Sequence, residues 1–569
     1  MNQKMPRPIR TRGSGTDPVV KTLQNLDPVI ARIYRNRGVN DAADLDYALS
    51  RLLPIRSLAG IDDAVRLLMK HKRDRIIIVG DFDADGATST ALVMRCLAQF
   101  GFEDVGYLVP NRFEFGYGLT PGIVAVAASR EPKLLLTVDN GVSSVAGVAE
   151  ANRLGIDVLV TDHHLPGKTL PAASVMLNPN LHGSEFGSPN LAGVGVAFYL
   201  MAALGRHLQD TGRAGAAKIP ANFLDLVALG TVADVVSLDH NNRILVSQGL
   251  RRICAGKSIA GIQALLRQAN RDPQRTASAD LGFAVGPRLN AAGRLEDMSI
   301  GIECLLTDDA AVAAQYAAQL DQINRQRRDI EADMREQAFA YVDKLDQRNL
   351  PRCVCLYQDA WHQGIVGLVA SRVKDRCHRP VIAFADESDD MLKGSARSVP
   401  GVHIRDLLES VATAEPGLIE KFGGHAMAAG LSLAKENFDR FGKAIAAQLG
   451  HLYPDADFSG TILTDGPLPI EAMNLRFARD LREAGPWGAG FPEPLFCGDF
   501  SILEQRTVGE NHLKLRVQAV AGGGAVDAIA FNQAGPVYRG PVQLAYRLDV
   551  NEYRGFESPQ FIIDQIVNL

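Results

Sequence analysis

Apolar and polar residues follow two different periods along this chain, and each period predicts a different part of the fold. From residue 75 onward, short aliphatic runs alternate with segments of helical spacing. A continuous aliphatic run is typical of a parallel strand buried on both faces, and its alternation with helices predicts a parallel α/β sheet. The predicted strands of this sheet are 76–79, 105–109, 134–138 and 157–161.

The remaining segments have other patterns. Helical spacing predominates before the sheet, and a segment of more than thirty residues from 308 lacks glycine and proline, which predicts a long bridging helix. A second strand–helix unit follows, with small-residue loops predicted at 394–398 and 422–426. Alternating runs from about 455 predict a small antiparallel barrel. We therefore expect an α/β protein of two lobes joined by a long helix, plus a C-terminal all-β barrel. The predicted boundaries are 1–70, 71–307, 308–350, 351–452 and 453–569.

The first predicted strand runs into three aspartates at alternate positions and then a glycine. If the backbone stays extended through this stretch, the three carboxylates project to one side. Carboxylates crowded in this way repel one another unless a cation lies among them. The alternative is a solvated acidic turn in which an aspartate caps the following helix, predicted over about 88–100. The three acids are Asp81, Asp83 and Asp85.

Two further predicted strands end in aspartate-bearing turns. The third is followed by Asp139, and the fourth by Asp162, His163 and His164. Since the carboxyl ends of parallel strands meet at one edge, all three turns are expected to open onto one crevice. Asp234 lies in an otherwise apolar segment, where a carboxylate is costly unless paired or metal-bound. A helix cap or a buried Asp–Arg pair is the alternative there.

The types of donor in these turns indicate a chemistry. Carboxylates with an imidazole and no thiolate favour Mg²⁺ or Mn²⁺ over structural zinc, and four or five carboxylates suit two ions. Two such ions can hold a phosphate, generate a hydroxide and stabilise the leaving oxygen, to which His164 is expected to donate a proton or hydrogen bond. The pattern predicts hydrolysis of a phosphoester or phosphoanhydride. No P-loop lysine motif or Gly-x-Gly-x-x-Gly follows the first strand, which argues against a nucleotide-driven motor or a dehydrogenase.

Composition narrows the class of protein further. The chain has 569 residues, 46% of them hydrophobic, and a net charge of −5, which neither indicates nor excludes a nucleic-acid binder. Its seven cysteines form no CxxC pair and are expected to be reduced thiols. The polar, basic N-terminus has no apolar region of a signal peptide, and no apolar run is expected to span a bilayer. We expect a cytoplasmic protein that does not associate with a membrane.

The motifs resemble those of a known superfamily. The triplet Asp162-His163-His164 is the signature of the DHH phosphoesterases, and Gly423-Gly424-His425 resembles the motif of the DHH-associated domain. The order and spacing of all the motifs resemble the RecJ family of bacterial single-strand-specific 5′-to-3′ DNA exonucleases over roughly residues 70–569. The other segments that carry the resemblance are 83–86, 109–113, 139–141, 230–234 and 286–290.

This resemblance implies a role for each matching residue. It implies two-metal hydrolysis of single-stranded DNA in repair and recombination. The chain departs from the wider superfamily at one position: some members carry a histidine four residues before the first motif aspartate, and this chain has Val79 there. Asp81 or water is the candidate replacement. The implied metal ligands are Asp83, Asp85, Asp139, His163 and Asp234, and the implied catalytic residues are His164, Asp81 and Asp162. The implied contacts to the 5′-end and backbone are Arg112, Arg288, Ser395, Arg397, Gly424 and His425.

The resemblance also implies partners and leaves alternatives. The barrel would be an OB-fold that tracks single-stranded DNA and stacks aromatics on its bases, although core packing is at least as good an account of each aromatic. A single-strand-binding protein and a helicase are family-level expectations as partners, and a monomer is expected. The alternatives are a phosphodiesterase on short oligonucleotides or cyclic dinucleotides, and a non-enzymatic single-strand-binding scaffold. The candidate aromatics are Tyr546, Tyr553, Phe556 and Phe561.

Overall fold

A computed structural model describes residues 6–13, 23–110, 116–346, 350–553 and 555–569. The chain divides into two compact units. The first consists of Met1–Gly293, Asp297–Leu320 and Thr461–Leu569, and the second of Arg294–Glu296 and Asp321–Gly460.

The first unit begins with a short strand and a helical segment. Strand β1 (Ile9–Thr11) pairs in parallel with Ile462–Thr464, far along the chain, and the helices are α1 (Pro28–Arg35) and α2 (Ile61–Lys70). The predicted helical character of this region is therefore found, with a strand that the sequence pattern did not predict. Helix α1 packs into the apolar cluster of the C-terminal barrel, because Ile33 and Tyr34 are buried there.

A five-stranded, all-parallel sheet forms the centre of the first unit. Its order is β3-β2-β4-β5-β6, so β3 is added on one side of β2 and the later strands on the other, and the strand order reverses between β2 and β4. Ile76 and Ile78 pack on one face, and Ile77 and Val79 on the other, which explains the continuous aliphatic run. The strands are β2 (Arg75–Gly80), β3 (Asp104–Leu108), β4 (Leu134–Val138), β5 (Asp157–Thr161) and β6 (Val175–Leu177).

Helices cover this sheet on both faces, and further helices of the first unit pack on those helices. The helices of the first unit after β2 are α3 (Ala84–Gln99), α4 (Pro121–Ala128), α5 (Val145–Arg153), α6 (Gly193–Asp210), α7 (Leu224–Ala233), α8 (His240–Cys254), α9 (Ala260–Gln268), the short α10 (Ser278–Asp280), α11 (Gly286–Leu295) and α12 (Ser299–Leu306). A five-residue π-helical turn, Leu281–Val285, joins α10 to α11. The predicted long helix is α13 (Ala310–Lys344), whose residues divide between the two units at 320 and 321.

The second unit contains a separate five-stranded sheet of order β10-β11-β9-β8-β7, in which only β7 and β8 are parallel. The predicted loop at 394–398 is wrong, because 391–397 is a strand that pairs on both sides; the predicted loop at 422–426 is likewise partly strand. Its elements are β7 (Val354–Tyr357), α14 (Val366–Cys377), β8 (Val381–Ser388), β9 (Met391–Arg397), α15 (Ile404–Ala414), β10 (Lys421–Gly424), β11 (Ala428–Ala434) and α16 (Phe438–Leu452).

The C-terminal strands close into a five-stranded barrel of order β13-β14-β15-β17-β16. The pairing is antiparallel except for β15 with β17. Tyr546 and Phe561 are fully buried in its core, whereas Phe556 is 81% exposed; the side chain of Tyr553 lies outside the described part. The barrel strands are β13 (Phe496–Val508), β14 (His512–Ala519), β15 (Val526–Ala530), β16 (Pro541–Tyr553) and β17 (Phe556–Asn568), and they are preceded in the chain by β12 (Ile462–Thr464) and α17 (Leu475–Glu483).

Two expectations from composition meet different outcomes. All seven cysteines are free thiols, as expected. The stretch Ala216–Ala233 has the length and mean hydropathy (1.2 over 18 residues) that a membrane crossing needs, so the expectation that no such run exists was wrong on that criterion. Since 61% of the stretch is buried and it contributes Leu226, Val227 and Leu229 to the core around the sheet, core packing accounts for its apolar character.

A buried ion pair ties the N-terminal helix to the barrel region. Arg37 donates through Nη1 and Nη2 to the two carboxylate oxygens of Asp465 at 2.9 and 3.0 Å. Asn36 Nδ2 and the Leu495 N–H also donate to this carboxylate, whose side chain is fully buried. Burial raises the pKa of Asp465, but the hydrogen bond and charge of Arg37 outweigh burial, so the net pKa is lowered.

We expect Asp465→Ala to destabilise the first unit, since it leaves the Arg37 guanidinium buried without its counter-ion. Loss of one partner of a buried pair costs about 3–5 kcal/mol. The thermal denaturation midpoint should fall markedly, and the loss should be largest at neutral pH because a carboxylate with a lowered pKa stabilises the fold above its titration range. As a control, Arg56→Ala removes an ion pair whose side chains are 87% and 64% exposed, and should cost at most about 1 kcal/mol. Equal midpoints for the two variants would contradict this account.

Candidate metal centre

The acidic turns after β2, β4 and β5 meet at the carboxyl edge of the parallel sheet, next to the point where strand order reverses. Open α/β sheets bind ligands at this position. Three groups of side chains each bring one potential ligand atom per residue within 4.8 Å of one another. The groups are Asp139, His163 and His164; Asp85, His163 and Asp234; and Asp81, Asp83 and Asp139. Every implied metal ligand therefore belongs to the cluster.

The backbone does not stay extended through the first acidic turn, so the condition for three carboxylates on one side is not met, and the alternative of an aspartate cap is found. Strand β2 ends at Gly80 and helix α3 begins at Ala84, four residues earlier than predicted. Asp83 is the N-cap, and its carboxylate accepts from the N–H groups of Asp85 and Gly86 at 3.0 Å each. Asp85 consequently projects from the first turn of a helix, and this helical geometry assigns Asp83 and Asp85 to different donor groups.

The N-terminus of α6 holds Asp85 in place. The N–H of Gly193 donates to Asp85 Oδ2 at 2.6 Å, and that of Val194 to Oδ1 at 2.9 Å. Helix N-termini favour carboxylates because their N–H groups are unpaired and the dipole is positive there. Gly193 is required sterically, since a Cβ at this position would lie 2.5 Å from the Cβ of Asp139. These contacts form only when the fold brings distant segments together, so no sequence pattern predicts them.

His163 lies where the separate segments converge. Its Nε2 is 3.1 Å from Asp139 Oδ1, 3.4 Å from Asp234 Oδ2 and 4.0 Å from Asp85 Oδ2. Asp139 has a left-handed backbone (φ 61°) that turns it at the end of β4, and its Oδ1 is buried without a hydrogen bond among the described residues. A buried carboxylate oxygen without a hydrogen bond, close to other donors, fits a metal ligand.

The electrostatics of the cluster agree with this assignment. Burial, followed by the charge of Asp83, raises the pKa of Asp85 to about 7. Burial, followed by the charge of Asp85, raises the pKa values of Asp139 and Asp234 well above their ordinary value. Such a set is fully ionised only when divalent cations neutralise it. Hard carboxylate oxygens with one or two imidazoles are the donors that Mg²⁺ and Mn²⁺ accept, so the residues present fit the implied metals.

Asp162 is buried beneath the cluster and belongs to none of the three donor groups. Its carboxylate accepts from the N–H groups of Val142, His163 and His164, and from His164 Nδ1 at 2.7 Å. Burial lowers the pKa of His164, but the hydrogen bond and charge of Asp162 outweigh burial and raise the pKa to about 9. Burial also raises the pKa of Asp162, but the hydrogen bond from His164 outweighs burial and lowers the pKa of Asp162 to about 2. Asp162 therefore orients the His164 ring and favours its protonated form.

Sequence reasoning missed one side chain at this site. The Tyr117 hydroxyl donates to the Asp139 carbonyl at 3.3 Å, and its ring meets those of His164 and Phe82 edge-on at 5.8 and 6.0 Å. A tyrosine between glycines has no distinguishing pattern, so only the fold reveals it. Arg112, a DNA contact implied by the sequence, lies outside the described residues.

Helix α11 packs against the first acidic turn. Asn290 Oδ1 accepts from the Ala84 N–H at 2.7 Å, and a Cβ at Gly293 would overlap the Phe82 carbonyl. Arg288, on the same helix, is 8% exposed and donates from Nη1 to the Ala284 carbonyl at 2.7 Å. The segment that carries Arg288 is thus fixed directly against the residues that precede Asp85.

In the second unit, Ser395 and Arg397 lie together beside the N-terminus of α14. Arg397 Nη1 donates to Ser395 Oγ at 3.0 Å and to the Ala396 carbonyl at 2.8 Å. A Cβ at Gly367 would lie 2.8 Å from both Ser395 Oγ and Arg397 Nη2. Burial lowers the pKa of Arg397, and no carboxylate contributes to that shift. An arginine and a hydroxyl beside a helix N-terminus form a cluster suited to a phosphate.

The Gly423-Gly424-His425 segment lies two strands away on the same sheet. Sheet register pairs Gly423 with Gly430 and Gly430 with Ser395. Gly424 needs its glycine (φ 140°), because a Cβ there would lie 2.5 Å from the Ala428 carbonyl, whereas a Cβ at Gly423 would meet nothing within 4 Å. The sheet surface next to Ser395 is therefore bare backbone, which a ligand can approach closely.

Comparison with known proteins agrees with this geometry. Residues 75–231 match the N-terminal domain of the DHH family, 350–451 the DHHA1 domain and 464–565 the RecJ OB domain. The single-stranded-DNA-specific exonuclease RecJ of Salmonella typhimurium is 51% identical over 99% of this chain and 99% of its own, and that of Escherichia coli 50% over 99% and 100%. The chain belongs to the RecJ family.

Solved structures of RecJ share this fold. The crystal structure of RecJ in complex with Mn²⁺ from Thermus thermophilus matches with a TM-score of 0.81 at 31% identity, over 97% of this chain and 77% of that one. A Mg²⁺ complex of RecJ from the same organism matches with a TM-score of 0.75 at 28% identity, over 97% and 76%. The expected fold class, two α/β lobes and an OB barrel, is confirmed.

The crowding of carboxylates predicts how Mn²⁺ changes stability. We expect Mn²⁺ at a hundredfold excess over its Kd to stabilise the protein by about 2.7 kcal/mol for each ion bound, seen as a rise in the thermal midpoint. Asp139→Asn should raise or preserve the midpoint of the metal-free protein, because it removes one of the mutually repelling charges, while largely abolishing the rise with Mn²⁺.

The matched control is Glu510→Gln, which removes an exposed carboxylate at a barrel turn. It should leave both midpoints as in the unaltered protein. A full Mn²⁺ response in Asp139→Asn would show that the cluster is not the principal metal site.

Proposed function

We propose that this chain is a metal-dependent exonuclease that hydrolyses single-stranded DNA from its 5′-end. The observation that carries the proposal is the convergence of His163 with Asp85, Asp139 and Asp234 from four separate segments, 3.1 to 4.0 Å from its Nε2. The close relatives are named as exonucleases specific for single-stranded DNA, and this chain retains every acid of the predicted site. DNA repair and recombination are the processes that we infer for it.

We infer that the site holds Mn²⁺ or Mg²⁺ as two ions. Asp85, His163 and Asp234 would bind one, Asp81 and Asp83 the other, with Asp139 close to both; the donor groups support this division. Asp81 is then the group that stands in for the histidine replaced by Val79. Bound divalent ions polarise a phosphodiester, lower the pKa of water and stabilise the leaving oxygen.

His164 is the proposed proton donor or hydrogen-bond donor to the phosphate. Asp162 accepts from its Nδ1, so its Nε2 is the atom that we assign to substrate. Burial lowers the pKa of this imidazole, but Asp162 outweighs burial and raises it, which favours the protonated form that a donor to a phosphate or leaving oxygen requires. Asp162 is therefore a positioning residue in this proposal, and His164 a catalytic one.

The polarity of digestion is assigned to a phosphate site in the second unit. Ser395 and Arg397, beside the N-terminus of α14, offer a hydroxyl and a guanidinium to a terminal 5′-phosphate. Arg288 and Arg112 stay, as the family resemblance implies them, proposed contacts to the DNA. The bare surface around Gly423, Gly424 and His425 would admit the sugar–phosphate backbone. None of these groups reads bases, which suits a nuclease without sequence preference.

Other assignments remain family-level proposals. They are the domain boundaries given above, the barrel as the single-strand-binding module, a single-strand-binding protein and a helicase as partners, the monomeric state and the cytoplasmic location. Single-stranded DNA itself is the partner that the OB domain and the named relatives support best.

The direct test is digestion of strands labelled at either end, with Mn²⁺. We expect a 5′-label to appear at once in mononucleotides, a 3′-label to remain on shortening strands, and a blunt duplex to survive. Asp139→Ala should be folded and inactive. Preference for a dinucleotide or cyclic dinucleotide over a long strand would favour the alternative phosphodiesterase, and binding without any cleavage would favour the scaffold.

The phosphate site has its own signature in the same assay. Strands with a 5′-phosphate should be cut faster than strands with a 5′-hydroxyl, and Arg397→Ala should remove most of that preference by slowing only the phosphorylated strands. Arg440→Ala, at an exposed surface ion pair with Glu415, is the control that should keep it. A preference that survives in Arg397→Ala would contradict the assignment.

A further inference from the structure

The π-helical turn Leu281–Val285 exposes an aromatic ring that the proposed mechanism does not use. Phe283 is 81% exposed, whereas Leu281 and Val285 on either side of it are fully buried. π-Turns are rare and occur frequently at functional sites. Since isolated exposed apolar side chains are common, the position of Phe283 in the first unit decides whether its exposure matters.

The π-turn packs against the last turn of α7, which presents Asp234. A Cβ at Gly282 would lie 3.2 Å from Val232 Cγ1, and one at Gly286 would lie 3.1 Å from the Cβ of Ala233. Phe283 therefore follows directly on a residue that contacts the segment leading to a metal ligand. The helix after the turn, α11, contacts the other ligand-bearing segment through Asn290 and Ala84.

A second exposed apolar side chain lies at the same end of α7. Val235 directly follows Asp234, is 69% exposed and has a left-handed backbone (φ 62°). This conformation is a genuine outlier for a β-branched residue, and such outliers cluster at ligand sites. The carbonyl of Ala284, next to Phe283, also accepts the Arg288 Nη1 hydrogen bond. An exposed aromatic ring and an anchored arginine thus lie on the segment that packs against the end of α7, and a strained valine directly follows the ligand Asp234.

We propose that Phe283 stacks on a nucleobase of the strand whose phosphodiester lies at the metal centre, with Val235 as an apolar edge to that platform. The inference rests on the proposed function and adds a specificity residue to it. A base in a duplex is paired and stacked on its neighbours, whereas a single strand offers a free π-face of any sequence. A phenylalanine has no polar group to read base edges, so the platform selects single strands without selecting sequence.

The test pairs a change in the residue with a change in the substrate. Strands carrying one abasic position, moved stepwise from the 5′-end, are digested by the unaltered protein and by Phe283→Ala. Stacking predicts a drop in kcat/KM of about tenfold for Phe283→Ala on intact strands. It predicts a similar drop for the unaltered protein at one or two abasic positions, and no further drop when both changes are combined.

Two controls isolate the stacking. Phe283→Trp should restore kcat/KM, and Leu154→Ala, which trims a 40%-exposed side chain near the amino end of β5, should have no effect. The salt dependence of KM should be unchanged in Phe283→Ala, because no phosphate contact is lost. Equal losses on intact and abasic strands, or no loss at all, would overturn the proposal; the former is expected if Phe283 has only a structural role, the latter if it contacts a protein partner.

The result can be separated from failure of the proposed function. If the unaltered protein does not cut single strands with Mn²⁺, the nuclease assignment fails. Stacking is then measured in a binding experiment, from the fluorescence of a 2-aminopurine base placed along the strand. Quenching of its fluorescence by the unaltered protein and not by Phe283→Ala would still support the platform, and equal quenching by both would overturn it.

Discussion

Electrostatic repulsion among buried carboxylates is the constraint on which the first unit depends. Asp85, Asp139 and Asp234 come from distant parts of the chain and are held within a few ångströms of His163. The fold maintains this arrangement with helix N–H groups on Asp85, a glycine at 193 that admits Asp139, and an N-cap at Asp83. Each device positions a negative charge where burial opposes it, and divalent cations are the counter-charge that makes the set stable when ionised.

The sequence predicted the parallel sheet closely and its acidic edge correctly. The bounds of β4 and β5 follow from their aliphatic runs, and α13 from its lack of glycine and proline. The pattern left the backbone through Asp85 open, because acids at alternate positions fit both a strand and the capped start of a helix, and the structure shows the helix. Strand β9 was missed because Gly394, Ser395 and Ala396 have low strand propensity, and its pairing on both sides outweighs that propensity.

Other features could not be read from sequence in principle. Tyr546 and Phe561 fill the barrel core while Phe556 is exposed, although all three are aromatics in strands. The roles of Tyr117 and Asn290 arise only from tertiary approach. For Arg397, the family motif predicts a phosphate contact that stays a prediction, and its position beside Ser395 and a helix N-terminus gives that contact a physical reason. Chemistry was predictable where a motif encodes donors, and not where the fold creates the contact.

The acids of the cluster and His163 together are expected to bind divalent cations. Anomalous diffraction from crystals grown with Mn²⁺ tests this claim most directly, because it locates the ions without reference to activity. We predict two peaks at the carboxyl edge of the parallel sheet, one among Asp85, His163 and Asp234 and one among Asp81, Asp83 and Asp139. Manganese peaks elsewhere, with none at this edge, would contradict the account.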